Sequence, residues 1–430
     1  MEMLMTIRSL ILRIMLACYL MTLRVVDRLV PLRQQDSEIE CDILLTGTFH
    51  SQNWVGSHLY PLAQSKLCAH VIIVTIFPIP ESEKIKVIYP SKLLRKIVGD
   101  VAARMITFFW VGIRLCPAIV GGFHLLFNGL AAALLGRLIQ AHSIYFCVGG
   151  PAEVLGGGIS SENKLFEKLK APDEYIEQQL INSLKYFSII VTMGTKAETF
   201  FRKCGVQGNF YVVSGGIDSK RFIPDDRNPD IDLIAVGRLV PIKRFDILVK
   251  SVSEIKKIFP SVKVAIIGNG LLEKDLMLLS NNLQLEENIL FAGFQENVID
   301  WLQRSKIFML TSDSEGLSLA MMEAMMCGLP AVVSNVGDLE DLVENNKNGF
   351  LINQRSPLNF ANAVIELLSS PGRLHLFSQC ARKSAMKFCQ EEATLQWDNI
   401  LKNLRSSSFG VDSTPLYINS TPNDEGDHEQ

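Results

Sequence analysis

The stretch Thr311–Ser334, TSDSEGLSLAMMEAMMCGLPAVVS, decides the reading of this chain. It follows an apolar segment, Lys306 to Leu310, that reads as a buried strand. It then runs through a short Ser/Asp/Gly turn into helix-forming residues and on to a second apolar strand, AVVS. Strand, turn, helix, strand is the repeating unit of a parallel sheet wrapped by helices. A helix start leaves its first backbone N–H groups unpaired and carries roughly half a positive charge, which suits phosphate. The N–H groups of Gly316, Leu317 and Ser318 are expected to serve this way. Eight residues turn a helix through about 800°, so Glu323 is expected on the side that Glu315 overhangs. Upstream, VGRLVPIKRFDILVKSV (236–252) brings Gly237, Arg238 and Lys243 to the end of another apolar strand. Carboxylates for hydroxyls and cations for phosphates together describe a nucleotide-sugar site.

The pairing of GRLVPIKRFD (237–246) with EGLSLAMMEAMMCGLP (315–330) resembles the donor half of family 4 glycosyltransferases, retaining enzymes of the GT-B architecture. VSGGIDSKRF (213–222) resembles that family's Asn-Gly-Val-Asp segment between domains, and VTMGTKAETFFRKCGV (191–206) resembles the helix–strand unit before it. The resemblance runs from Asp42 to Leu404 and is densest after Ser188. It implies an α/β fold of two Rossmann-like, doubly wound parallel-sheet domains facing a cleft, with a C-terminal helix crossing back to the first. It also implies transfer of a sugar, with retention, from a UDP- or GDP-linked donor to an acceptor hydroxyl; if the N-terminal segment binds membrane, a glycan or lipid-linked saccharide is the expected acceptor, in cell-envelope, exopolysaccharide or glycolipid synthesis. By the same resemblance, Arg238 and Lys243 stabilise the departing diphosphate, Glu315 contacts the donor sugar and Glu323 holds ribose hydroxyls. The loop Gly293–Asn297, with Phe294, helps choose the donor. No metal and no organic cofactor is implied, and no Asp-x-Asp sits in a loop suited to hold one.

The glycine-rich first loop of this family corresponds to TGTFHSQNWVGSHLYPL (46–62), so Gly47 and Gly56 are expected to face the donor. Many members place a histidine where this chain has Gly149. His124, in VGGFHLLFNGL (120–130), is the candidate to supply that imidazole, with His50 and His58 as alternatives. The glycine-dense run VGGPAEVLGGG (148–158) reads either as a loop close to ligand or as a plain turn. Its Glu153 is expected to be exposed or to meet the acceptor. Two other function classes fit the outline: another GT-B enzyme, such as an epimerase or phosphorylase, and a binding protein that has lost turnover. Intact Arg238, Lys243, Glu315 and Glu323 favour transfer.

At 430 residues the chain exceeds one ordinary core, and its formal charge of −3 argues against a general nucleic-acid binder. Nine dispersed cysteines with no C-x-x-C pair read as reduced core thiols of a cytoplasmic protein. The expected division is an amphipathic segment at 1–36, an acceptor domain at 37–214, a donor domain at 215–390, a crossover helix at 391–405 and a disordered tail at 406–430. In the first segment, IRSLILRIMLACYLMTLRVVDRLVPLR (7–33), the longest uncharged run is the ten residues Ile14 to Leu23. Spanning a bilayer takes about 20. Arg13, Arg24, Asp27 and Arg28 fall within about 100° on a helix, leaving a broad apolar remainder. That pattern fits a helix lying on an anionic membrane surface at the inner face of the cell membrane, or one packed on the protein itself. An over-called start among Met1, Met3, Met5 and Met15 is a third reading.

Overall fold

The computed structural model describes residues 2–30, 40–49, 52–159, 171–225 and 228–406. A seven-stranded sheet comprises β1 (Cys41–Thr46), β2 (Cys68–Val74), β3 (Ile85–Ile88), β4 (Ile119–Phe123), β5 (His142–Cys147), β6 (Ile189–Thr192) and β7 (Phe210–Val212), in the order β3-β2-β1-β4-β5-β6-β7. A six-stranded sheet comprises β8 (Ile231–Val236), β9 (Val264–Ile267), β10 (Ile289–Gly293), β11 (Ser305–Leu310), β12 (Ala331–Ser334) and β13 (Gly349–Ile352), in the order β10-β9-β8-β11-β12-β13. Every strand pair is parallel. Strands covered on both faces read as continuous apolar runs, which is why most were visible in the sequence. Thus Ile43 and Leu45 enter one core while Leu44 enters the core on the opposite face.

Around the first sheet lie α1 (Glu2–Leu29), α2 (Gln52–Gln64), α3 (Lys92–Val98), α4 (Asp100–Leu115), α5 (Leu130–Leu138), the short α6 (Leu155–Gly158), α7 (Glu174–Ser183) and α8 (Thr195–Lys203). Around the second lie α9 (Phe245–Lys256), α10 (Glu273–Asn282), α11 (Ile299–Gln303), α12 (Leu319–Met326), α13 (Pro357–Leu368) and α14 (Pro371–Ala385). The last helix, α15 (Gln390–Ser406), crosses back. It buries Trp397, Ile400, Leu401 and Leu404 in the first domain's core. Its Asp398 accepts hydrogen bonds from Ser65 Oγ (2.6 Å) and Lys66 N (2.9 Å). The crossing is hinged where Ile217 pairs with Cys389 in an isolated parallel bridge.

The strand expected to end at His124 is β4, IVGGF, whereas β7 and β13, only three and four residues long, are too short to read from the sequence. The stretch from Lys92 to Leu115 forms two helices, broken at Gly99 with φ +81°, a left-handed conformation suited to glycine. All nine cysteines are free thiols, but only Cys41, Cys68, Cys147, Cys327 and Cys389 are buried; Cys18, Cys116 and Cys204 are exposed, not the core thiols expected. The tail expected to be disordered, apart from Ser406, and His50 fall outside the described residues.

Helix α1 packs on the protein along one face. Leu12, Leu16, Leu20 and Leu23, spaced for a single helical stripe, join the core beneath α5 and α7. Ser9 Oγ and Arg13 Nε donate to Asp173 (2.5 and 3.0 Å), Asp27 pairs with Arg137 (2.9 Å), and the Tyr19 hydroxyl donates to the Leu130 carbonyl. By length and composition Ser9–Leu29 could cross a membrane, a longer apolar helix than its ten-residue uncharged run implied. One long face is nevertheless committed to protein, and the opposite face, with Leu10, Ile11, Ile14, Met15, Met21 and Val25, is exposed.

The crossover makes a testable link between the chain's end and its first domain. Trp397→Ala should cost about 3–5 kcal/mol, read by denaturant unfolding as loss of the first domain's transition. Trp397→Phe should cost markedly less.

Candidate active site

In each sheet the chain changes direction once, between β1 and β4 in the first and between β8 and β11 in the second. Open parallel sheets bind ligands in the crevice outside the carboxyl ends of strands at such a switch point. Here the two carboxyl edges face each other. A Cβ on Gly316, after β11, would lie 3.2 Å from the Val148 carbonyl just beyond β5. At the start of α8, the Thr195 N–H donates to Asp341 (2.8 Å) and the Lys196 N–H to Asp338 (2.7 Å), joining the domains beside the cleft.

On the donor side, the loops leaving β8 and β11 are stitched together because their strands are neighbours. Thr311 Oγ1 donates to the Arg244 carbonyl (2.9 Å), and Asp313 N donates to the Ile242 carbonyl (2.8 Å). Lys243 Nζ donates to Glu315 Oε1 at 2.6 Å, and Ser312 Oγ donates to the same oxygen at 2.5 Å. Asp313 pairs with Arg355 (2.6 Å) and Arg244 (3.4 Å). Arg238 is exposed in the turn that follows Gly237. This turn is clamped against the next loop. A Cβ on Gly268, whose φ is +133°, would fall 1.9 Å from the Gly237 carbonyl oxygen, and one on Gly270 would fall 2.4 Å from that of Leu239. The IIGNG glycines therefore shape the cationic turn. Phe294 is exposed just past β10, after Gly293 in the left-handed region.

The helix after Glu315 begins later than the sequence implied. Ser318 is the N-cap of α12, and its hydroxyl accepts the Met321 N–H. Gly316 and Leu317 are therefore turn residues, and the unpaired first-turn amides belong to Leu319 and Ala320. Glu315 precedes the helix, so the 100°-per-residue argument does not govern it. Glu315 turns to Lys243, whereas Glu323, buried in α12, meets Asn53 of α2 across the cleft, with Arg221 nearby. Burial pushes the Glu323 carboxyl up to about 8, opposed by the charge of Arg221 and the Asn53 hydrogen bond.

On the opposite side, His124 directly follows β4, with φ +66°. Its Nδ1 lies 3.1 Å from Glu153 Oε1. Glu153 is buried, not exposed as its glycine-rich setting implied. It accepts from Gly149 N (2.6 Å), Leu125 N (2.7 Å) and the Tyr145 hydroxyl (2.9 Å). Burial alone would raise the Glu153 carboxyl; the charge of His124 and these hydrogen bonds outweigh it and hold the carboxyl below its ordinary value. The side chain folds over Gly149, where a Cβ would come within 2.9 Å of Glu153 Cγ. No histidine fits there, and the imidazole stands one strand over. Gly47, at the end of β1, backs against Phe123 and Phe49, and its carbonyl accepts from Arg104 Nη1 (2.7 Å). Arg104 also donates to Asn128 (2.7 Å) in the turn after His124, a link that sequence spacing gave no way to see. Gly56 belongs to the interior of α2, not to a phosphate-facing loop. His58 is buried behind the hinge, against Trp54 and under Gly215; burial depresses its pKa to about 3. It is a packing residue.

The family model for glycosyl transferases group 1 matches residues 217–384. D-inositol 3-phosphate glycosyltransferase 2 of Catenulispora acidiphila is 30% identical over 46% of this chain and 52% of its own length. N-acetyl-alpha-D-glucosaminyl L-malate synthase of Bacillus anthracis is 27% identical over 39% of this chain and 44% of its own. The chain thus spans about half the length of the curated relatives it matches. Among solved structures, the sucrose-phosphate synthase of Thermosynechococcus elongatus superposes with a TM-score of 0.68 at 16% identity, covering 84% of this chain and 98% of that one. Anabaena HepE, in complex with UDP and glucose, gives 0.65 at 17% identity, covering 86% of this chain and 100% of that one. Residues 217–384 thus resemble the group 1 glycosyl transferases, and the two facing parallel-sheet domains share the GT-B fold of these structures.

Proposed function

We propose that this chain is a retaining, family 4-type glycosyltransferase. It moves a sugar from a UDP- or GDP-linked donor to a glycan or lipid-linked saccharide at the cytoplasmic face of a membrane, in envelope, exopolysaccharide or glycolipid synthesis. The observation that carries the reading is the convergence of Arg238, Lys243, Glu315 and the start of α12 at the β8/β11 switch point, opposite His124 at the β1/β4 switch point. The HepE structure holds UDP and glucose, and a poly(ribitol-phosphate) alpha-N-acetylglucosaminyltransferase of Staphylococcus aureus is 28% identical over 39% of this chain. The first supports a UDP-linked donor and the second a glycan-like polymer as acceptor. The exposed face of α1 supports the membrane surface.

Breaking the sugar–phosphate bond builds negative charge on the departing diphosphate, so groups that bind it better as it leaves lower the barrier. Arg238 offers a planar fork, Lys243 a point charge, and the first amides of α12 add their dipoles. Lys243 is held ready by Glu315, and a second carboxylate oxygen stays available to a sugar hydroxyl. These fixed cations do the work that a divalent ion does elsewhere, so the proposed reaction needs no metal. His124 faces the donor's anomeric region, with its ring oriented through Nδ1 by Glu153.

Calorimetric titration should show UDP or GDP binding that weakens at least ~tenfold in Arg238→Ala/Lys243→Ala, since each charge-assisted hydrogen bond contributes about 1.5–3 kcal/mol. Selective nucleotide binding that survives unchanged in this variant would sink the donor site. EDTA should leave the transfer rate unchanged.

Glu323 makes nucleotide binding pH-dependent. Below about 8 its carboxyl is mostly protonated in the empty site. Ribose hydroxyls donating to the carboxylate would pull that proton off. Binding at pH 7 should therefore release up to about one proton, read from the buffer dependence of the binding heat. The release should fade as pH rises past the Glu323 pKa and vanish in Glu323→Gln.

Glu153→Gln should lower kcat about tenfold or more with little change in KM. Glu153→Asp should recover part of the loss, because a carboxylate, not merely a buried side chain, orients His124.

A further inference from the structure

The helices over one face of the first sheet carry an apolar exterior that the transfer reaction does not use. α4 packs on β1, β2 and β4 through Phe108 and Val111, α5 lies beside it, and α1 covers the far side of α5. The outward side of α4 presents Ile106, Trp110 and Ile113, spaced i, i+4, i+7, all exposed. The preceding helix α3 buries no residue at all, and Leu93 and Ile97, one turn apart, are 69% and 70% exposed. A helix that leaves its apolar side chains in water over its whole length implies a partner. The neighbouring α7 is ordinary by comparison, turning Glu174, Gln178 and Asn182 outward.

We propose that α3 and the outer face of α4 are a second docking element, seated with α1 in the interface of an anionic lipid leaflet. The proposal rests on the membrane-surface reading of α1 and gives that reading a second point of contact. Charge selects the occupant. Lys92 and Lys96 on α3, Arg114 on α4, and Arg24 and Arg28 on α1 are exposed around the apolar side chains. Among the described side chains of these three helices the only acids are Asp27 and Asp100, each neutralised by an arginine, Arg137 and Arg95 respectively. A second copy of this face would set cations against cations, whereas phospholipid headgroups complement them. Arg114 lies over the Trp110 ring at 5.7 Å, which places an aromatic body and a cationic tip together, as an interfacial anchor requires. Leu93 and Ile97 would enter the acyl boundary while Lys92 and Lys96 reach headgroups.

The test is partitioning of the purified full chain onto phosphatidylcholine vesicles with and without phosphatidylglycerol, alongside sedimentation velocity without lipid. Wild type should prefer the anionic vesicles. Leu93→Glu/Ile97→Glu and, separately, Trp110→Glu should each weaken partitioning ~tenfold or more. Should an apolar variant fail to fold, Lys92→Gln/Lys96→Gln changes only exposed charges and should shrink the preference for anionic over neutral vesicles. Unchanged partitioning in Leu93→Glu/Ile97→Glu, while Ile14→Glu/Val25→Glu on α1 abolishes it, overturns this proposal and leaves α1 standing. Failure of wild type to bind either vesicle overturns both. A dimer in solution that the α3 variant dissolves would assign the face to a second copy and also overturn it. Transfer to a soluble acceptor should be unaffected in the α3 variant, so failure of the docking element and failure of the glycosyltransferase reading are separately visible.

Discussion

The contact on which the donor half depends is the ion pair between Lys243 and Glu315, 2.6 Å long and largely withdrawn from solvent. It joins the loops leaving two adjacent strands and so fixes, in one step, a cation, a carboxylate and the approach to α12. Removing either partner would leave a partly buried charge uncompensated, which is costly, while the intact pair adds little net stability against an apolar alternative. The pair is therefore better understood as a positioning device than as a source of stability. It sits at the β8/β11 switch point, and its geometry is secured from behind by Ser312, Thr311 and the glycine crossing at Gly268.

The other half of the cleft solves a similar problem differently. Glu153 is drawn out of water by four donors and, in return, orders three segments: the turn carrying His124, the strand carrying Tyr145, and the glycine loop itself. A buried carboxylate without those donors would be neutral or misplaced. With them it remains charged beside an imidazole. The glycine at 149 is then a steric requirement of this network and not a deletion of function, because the Glu153 side chain occupies the space a residue there would need.

How much of this could be read beforehand follows from the range of the forces involved. Both sheets were legible because buried parallel strands are apolar runs, and Arg238, Lys243, Glu315 and Glu323 were legible because their segments combine strand ends with polar turns. The start of α12 was read early because Ser318, as a cap, looks like any other polar turn residue until its hydroxyl is seen to accept the Met321 N–H. Glu153 looked exposed because glycine-rich neighbours usually mean surface; only folding brings Tyr145 and Leu125 to it. His58 looked available because nothing local reports that Gly215, far along the chain, will close over it. Local propensity and periodicity carry the elements, whereas the pairings that tune a site are made between residues far apart in sequence.

Arg104 connects these levels. It sits on α4, whose outer stripe carries Trp110 and Ile113, yet its guanidinium points inward to the Gly47 carbonyl and Asn128. Burial lowers its pKa to about 10, so it keeps its charge at neutral pH while bonded to neutral oxygens. Gly47 ends β1 and Asn128 lies in the turn after His124, so the two lips of the first domain's switch point are fastened to the helix layer by one side chain. A surface that holds α4 also holds the acceptor side of the cleft at a fixed height above it. The position of α4 and the shape of the β1/β4 switch point are thereby coupled, because a single buried side chain joins them.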